Sequence, residues 1–192
     1  INNNGIIAKS RNKGIKLSKG KWISFLDSDD VWLPRKLEKV ERTIRNNKNC
    51  IGICHHEWHV INNKRVAKLI YGPDGEDLYS HLLFKGNCMS TSAVSISKDT
   101  LIKTNGFSTR QDFVTVEDYE YWIRLSKEGE TIFLDDILGE WHTHQNNYSS
   151  NIDIHISSGI AVSEHHLRQY IRDENKKVRK IKGPLSRVYA NA

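Results

Sequence analysis

Apolar and polar residues change period several times along this chain, and the changes mark its elements. From Asn4 to about Ser18 the residues suit an amphipathic helix, with Asn3 or Asn4 as cap and Ile7, Arg11 and Gly14 along one side. Lys19-Gly20 ends it. Trp22-Ile23-Ser24-Phe25-Leu26 is a short, nearly continuous apolar run whose length and aromatic content predict a strand buried on both faces, as in a parallel sheet. It halts at four polar residues, Asp27-Ser28-Asp29-Asp30. Pro34 then suits a first helical turn, and Leu37, Val40 and Ile44 give that helix an apolar face.

Further along, residues 51–61 predict a strand, with Asn62-Asn63-Lys64 turning into a partner strand. A short helix is expected over 76–84, a strand over 91–97, and a helix over 98–104 stopped by Asn105-Gly106. The strongest helical pattern runs over 117–128. Strands follow near 131–134 and 137–143, then a helix over 151–175 and a polar tail. Strands alternating with helices define an α/β sandwich with a mixed sheet.

Composition narrows the class. The chain has 192 residues, 38% of them hydrophobic and 9% aromatic, enough for one domain with a sizeable core and unlike a disordered polypeptide. No apolar run approaches the ~18 residues of a membrane-spanning helix. The formal charge is +6, from 29 basic and 23 acidic side chains, with a basic concentration at Lys176-Lys177-Val178-Arg179-Lys180-Ile181-Lys182. Such a surface favours anionic partners, and a solvated helix end accounts for it equally well. Cys50 and Cys54 neighbour His55 and His56, but no second Cys or His pair follows at zinc-site spacing, so buried reduced thiols are expected. The chain opens on Ile1 without an initiator methionine or a secretory signal.

Chemistry concentrates at two acidic stretches. In open α/β sheets ligands bind beyond the carboxyl ends of strands, where Asp27, Asp29 and Asp30 lie. Three carboxylates within four residues repel one another and favour a compensating cation. Carboxylate oxygens suit Mg²⁺ or Mn²⁺, and a turn whose Asp caps the next helix is the competing account. The second stretch, Glu117-Asp118-Tyr119-Glu120-Tyr121-Trp122, opens a helix in which Asp118, Trp122 and Leu125 share one face. A positioned carboxylate there can take a proton from an attacking hydroxyl, and a helix N-terminus favours its ionised form. Thr115-Val116-Glu117-Asp118 also fits a helix cap, which leaves Asp118 open between base and cap.

The order of these elements carries a resemblance. Asn4-Gly5, Arg11-Asn12-Lys13-Gly14, Gly20, Trp22 to Asp30, Trp32-Leu33-Pro34 and Lys36-Leu37-Glu38 resemble the middle of the family 2 glycosyltransferases, the inverting GT-A enzymes. Asn105-Gly106-Phe107 followed by Glu117-Asp118 resembles a later family motif, and Trp141 to Ser149 resembles the segment after the last core strand. Lys9 departs from the family's usual Ala, and His142 stands where it has Arg. The resemblance implies a GT-A-like α/β/α sandwich with a mixed, largely parallel sheet, lacking its first strands because nothing before Ile1 supplies the nucleobase-binding part. Residues 1–150 would form the transferase domain and 151–192 a helical, basic tail.

The resemblance further implies a role for each acidic stretch. Asp27-Ser28-Asp29 would be the Asp-x-Asp motif, with Asp29 and His144 holding Mn²⁺ or Mg²⁺. Asp27 and Arg11 would bind the donor, Asp118 would be the general base, and Glu117 and Trp122 would position the acceptor or its loop. The expected reaction moves a sugar from a nucleotide-diphosphate sugar, a UDP-sugar foremost, to a glycan, lipid-linked or polyol-phosphate acceptor in cell-surface glycan synthesis. The implied setting is the cytoplasm or the inner face of the membrane, with peripheral membrane contact and no nucleic acid. Two other classes share these features: a metal-dependent nucleotidyltransferase, and a non-catalytic module binding an anionic ligand.

Overall fold

The computed structural model describes residues 3–143 and 152–189, with side chains through residue 175. Along the chain run α1 (Ile7–Leu17), β1 (Trp22–Ser24), β2 (Val31–Trp32), α2 (Lys36–Asn46), β3 (Gly52–Ile61), β4 (Lys64–Leu69), α3 (Leu78–Phe84), β5 (Val94–Ser97), α4 (Lys98–Lys103), α5 (Glu117–Leu125), β6 (Thr131–Thr143) and α6 (Ile152–Tyr189). Six strands make one mixed sheet in the order β1-β5-β3-β6-β2, with β4 paired to β3 outside that path.

Only β3 and β6 run parallel; the other described pairings are antiparallel. The mixed sheet expected is found, and its largely parallel character is corrected to a largely antiparallel one. The apolar run at Trp22 misled on this point, because β1 lies antiparallel to β5 and is half-buried, while Leu26 just beyond it is exposed. An apolar run of that length fits either pairing sense. The two strands expected near 131–134 and 137–143 are one strand, with register irregularities against β3 at His55–Glu57.

Strand β3 is the axis of the sheet and is buried from Gly52 to Glu57. The β3–β4 turn has Asn62 and Asn63 at φ 50° and 60°, two consecutive left-handed residues, the conformation of a tight hairpin turn that Asn tolerates. The main core lies between the sheet and α5, where Trp122, Tyr121, Ile123 and Leu125 are fully buried with Phe107 and Phe113. Truncating Trp122 to alanine is expected to cost about 3–5 kcal/mol.

Three further expectations are revised. In α2, Val40 is buried and Ile44 packs against the smaller core, but Leu37 is exposed and Lys36 is buried in its place. The ammonium of Lys36 donates to the Ser92 carbonyl at 2.6 Å and lies over the Trp32 ring, so its charge is met inside the fold. The strand expected over 91–97 begins as a 3₁₀ turn at Thr91–Ala93. The C-terminal helix is not wholly a solvated tail: Ser158, Val162 and His166 are buried, and the ring of His165 meets Phe113 edge-on. No helix among the described residues is long and apolar enough to cross a membrane.

Candidate active site

Where β1 ends, the chain turns through Asp27–Asp30 into β2, and the turn faces an open cleft of about 1610 Å³. The same cleft is lined by Arg11 and Gly14 of α1, by Thr115 to Tyr119 at the start of α5, and by Trp141. Residues 27–29 and residue 118 thus share one cavity although the sequence separates them widely.

Arg11 is the join. Its Nη2 donates to both carboxylate oxygens of Asp27, at 2.9 and 3.0 Å, while Nη1 donates to Glu117 Oε1 at 2.7 Å. The guanidinium is nearly buried, as is Glu117. Burial works against the charge of Arg11, but the carboxylates of Asp27, Asp118 and Glu117 outweigh it, so its pKa is raised. Glu117 is raised as well, by burial first and then by the Asp118 charge, with Arg11 opposing. Charge-assisted bonds in so dry a place hold α1, the acidic turn and α5 in fixed relation.

Alpha helix α1 is itself clamped to the turn before α5. Asn12 Oδ1 accepts the Phe107 N–H at 2.9 Å and its Nδ2 donates to the Phe107 carbonyl at 2.8 Å. Gly106 sits at φ 62° against that amide, so a Cβ there would collide with Asn12. The Asn-Gly-Phe sequence therefore serves to bring Asn12, and with it Arg11, beside Glu117.

Asp118 lines the cleft and is half-buried. Its Oδ2 accepts from Thr91 Oγ1 at 3.1 Å and its Oδ1 from the Tyr119 N–H at 2.8 Å. Val116, the N-cap residue of α5, makes no side-chain cap bond, so the Thr-x-x-Asp cap suggested by the sequence does not form. Instead Thr115 adopts φ 77°, an uncommon conformation for a β-branched residue, and its Oγ1 lies 3.2 Å from His155 Nδ1.

Asp30 faces inward. Its carboxylate accepts from Ser92 Oγ and, at 3.0 Å, from the His142 N–H. Burial pushes its pKa up to about 6, while those bonds hold it down. Asp30 fastens the turn to β6, and Asp29 occupies the cleft wall.

Trp122 does not reach the cleft. Its ring is fully buried against Phe107, with centroids 5.9 Å apart, so of the two roles implied for it the structure speaks against contact with the acceptor and leaves support of the loop before α5. Glu117 is committed to Arg11 and meets neighbouring groups through that ion pair. His144 lies outside the described residues. Among the described residues no group of three or more His, Cys, Asp or Glu is placed to hold a metal ion; the thiols of Cys50 and Cys54 are buried and free.

Sequence reasoning missed a buried polar set behind the turn. Lys36, Glu57 and His55 are all inaccessible. Burial pulls Lys36 down to about 7 with Glu57 opposing, and pushes Glu57 up to about 7 while Tyr71 donates to its Oε2 at 3.0 Å. A signal was present: a glutamate midway along an otherwise inward-facing strand requires partners.

Fold and cleft together define a sheet-edge site with an acidic turn on one wall and an acidic helix start on the other. The glycosyl transferase family 2 model matches residues 2–100, more than half of the chain, and the chain belongs to that family. It is 30% identical over 122 residues to an uncharacterized glycosyltransferase of Haemophilus influenzae, covering 63% of this chain and 41% of that protein. It is also 30% identical over 147 residues to WfgD of Escherichia coli, the UDP-Glc:α-D-GlcNAc-diphosphoundecaprenol β-1,3-glucosyltransferase, covering 75% and 54%. The chain thus spans about half the length of these relatives. Its fold matches a crystal structure of S. aureus TarS in complex with UDP-GlcNAc, with a TM-score of 0.58 at 15% identity over 75% of this chain and 41% of that one. That match establishes the GT-A-type α/β fold.

Proposed function

We propose that the complete protein is an inverting glycosyltransferase that moves a sugar from a nucleotide-diphosphate sugar to an acceptor hydroxyl, with Asp118 as general base. The supporting observation is the Arg11 bridge, which brings the acidic turn and the start of α5 onto one cleft. As the acceptor oxygen bonds to the anomeric carbon, the bond from that carbon to the diphosphate oxygen breaks. The hydroxyl proton passes to the Asp118 carboxylate. Arg11 holds Asp27 on the donor wall, and Glu117 fixes Arg11 from behind.

A divalent ion fits this donor set in one arrangement. Asp27 gives both oxygens to Arg11, and Asp29, two residues on in the Asp-x-Asp run, lines the cleft beside it. Mg²⁺ and Mn²⁺ are commonly held by one or two carboxylates together with substrate phosphates. Asp29, with His144 as a second candidate, would hold the ion, which when bound would offset the charge growing on the departing diphosphate.

WfgD, by its name, transfers glucose from UDP-glucose to a lipid diphosphate-linked sugar. A UDP-sugar donor and a lipid-linked or other cell-surface glycan acceptor follow for this protein by that kinship. Residues 1–150 form part of the transferase domain, with 151–192 a basic helical extension suited to the inner face of a membrane.

The test is a donor-panel assay on the complete protein with Mn²⁺ and with chelator. Release of nucleoside diphosphate with transfer of the sugar, lost on chelation, is the expected result. Pyrophosphate release would replace this reading with nucleotidyl transfer.

A further inference from the structure

Both acidic groups of the cleft are fastened to the same two residues. Thr91 and Ser92 begin the 3₁₀ turn before β5, and both are buried, at 3% and 1% exposure. Thr91 Oγ1 donates to Asp118 Oδ2 at 3.1 Å. Next to it, Ser92 Oγ accepts the backbone N–H of Asp27 at 3.0 Å and donates to the Asp30 carboxylate. The Ser92 carbonyl accepts from Trp32 Nε1 at 3.0 Å and from the buried Lys36 ammonium at 2.6 Å. One dipeptide therefore touches the turn after β1, the entry to α2 and the first turn of α5.

The geometry points to Thr91 and Ser92 as positioning residues that set the spacing between the proton-accepting carboxylate of Asp118 and the donor-binding turn. This rests on the reading of Asp118 as the base. The terminal torsion of an aspartate is broad and nearly two-fold, so an unguided carboxylate samples many orientations. Here one oxygen is pinned by the Tyr119 N–H and the other by Thr91. Threonine suits the task because branching at Cβ stiffens its χ1, and Oγ1 of a buried side chain has few places to turn. Ser92 is anchored from behind by Lys36 and Trp32, so its hydroxyl fixes Asp27 and Asp30 relative to the same backbone that carries Thr91. Reacting groups misplaced by about 1 Å lose about 100-fold in rate, which is the scale such a clamp protects.

Steady-state kinetics of the complete transferase, with donor and acceptor each varied, separate the two residues. Thr91→Val keeps the side-chain shape and removes the hydroxyl; kcat should fall about 10-fold or more, as for loss of a hydrogen bond to a charged group, with donor KM within about twofold. Thr91→Ser should recover most of kcat. Ser92→Ala should instead raise donor KM severalfold with a smaller change in kcat, and Ser92→Thr, which retains the hydroxyl, should keep donor KM near wild type. Melting temperatures of all four variants establish that they are folded.

A kcat for Thr91→Val within about twofold of wild type, or a Thr91→Ser variant as impaired as the valine, would overturn the Thr91 role. Unchanged donor KM in Ser92→Ala, or equal loss in Ser92→Thr, would overturn the Ser92 role. If Asp118→Asn retains turnover, the base reading itself fails; if Asp118→Asn is inactive and Thr91→Val is normal, only the clamp fails.

Discussion

The acidic turn after β1 and the acidic start of α5 hold their carboxylates in a similar way. In the turn, Asp30 is bonded to Ser92 and to the His142 N–H beside Asp29, and both line the cleft. In α5, Glu117 is buried on Arg11 beside a half-buried Asp118, and both line the same cleft. Adjacent carboxylates repel, and in each stretch at least one member is drawn to a buried partner from another element. The difference lies in the partner. Asp30 is held by neutral donors, whereas Glu117 is held by a cation that also grips Asp27, so the α5 stretch depends on the turn through Arg11.

The comparison can be broken most forcefully at the half-buried member of α5. Asp118→Asn should lower kcat by about 10³-fold while donor binding, measured by calorimetry, stays near wild type. Retained turnover would mean that the two walls do not work together. Next in size is the shared cation: Arg11→Ala strands Glu117 and Asp27 and should cost about 3 kcal/mol in denaturant unfolding. Glu117→Gln, which leaves Arg11 paired with Asp27, should cost less than half as much. Equal losses would show that Arg11 serves Glu117 alone.

A fourth variant probes the polar set behind the turn. Glu57 holds its proton up to about pH 7 in the fold against an ordinary value of 4.5, chiefly because it is buried. The folded state therefore binds more protons than the unfolded chain across that window, and this contribution to stability is lost as pH rises from 4.5 to 7. It amounts to about 3 kcal/mol. Lys36, pulled down to about 7 by burial, stays charged in both states below that pH and adds no slope. His55, lowered to about 3 by burial, acts in the opposite sense between 3 and 6.5. The quantity to measure is thus the stability difference between wild type and Glu57→Gln, which should shift against wild type by that amount on going from pH 4.5 to 7.

The smallest effect belongs to the loop before α5. Thr115→Gly removes a side chain from a left-handed backbone position and should raise the melting temperature slightly, by about 1 kcal/mol of stability, less the contact with His155. A loss of stability would show that the His155 contact outweighs the backbone strain.

Much of this site was legible because its parts are contiguous. Asp27-Ser28-Asp29, Arg11-Asn12 and Glu117-Asp118 are short motifs, and Asn105-Gly106 announced the end of a helix that indeed stops there. What could not be read was which motif touches which. No local pattern says that a guanidinium at position 11 grips carboxylates at 27 and 117, because that contact is made by the sheet order. The same limit applies to strand sense: Trp22 to Leu26 looked doubly buried, yet its partner is an antiparallel β5 and Leu26 faces out. Leu37 and Lys36 exchanged places because hydropathy ranks the side chains without knowing that a carbonyl and an indole face wait for the ammonium. Thr91 and Ser92 read as strand because the alternation that marks Val94 to Ser97 runs back into them without a break.

Helix α6 lends one last consequence. His166, fully buried, places Nε2 at 3.4 Å from Glu120 Oε1, on the same short helix as Asp118, and Val162 packs into the main core. The segment that looked like an appendage is packed against the helix bearing Asp118. Unseating α6 would therefore bare part of the main core and leave the buried Glu120 without its His166 neighbour.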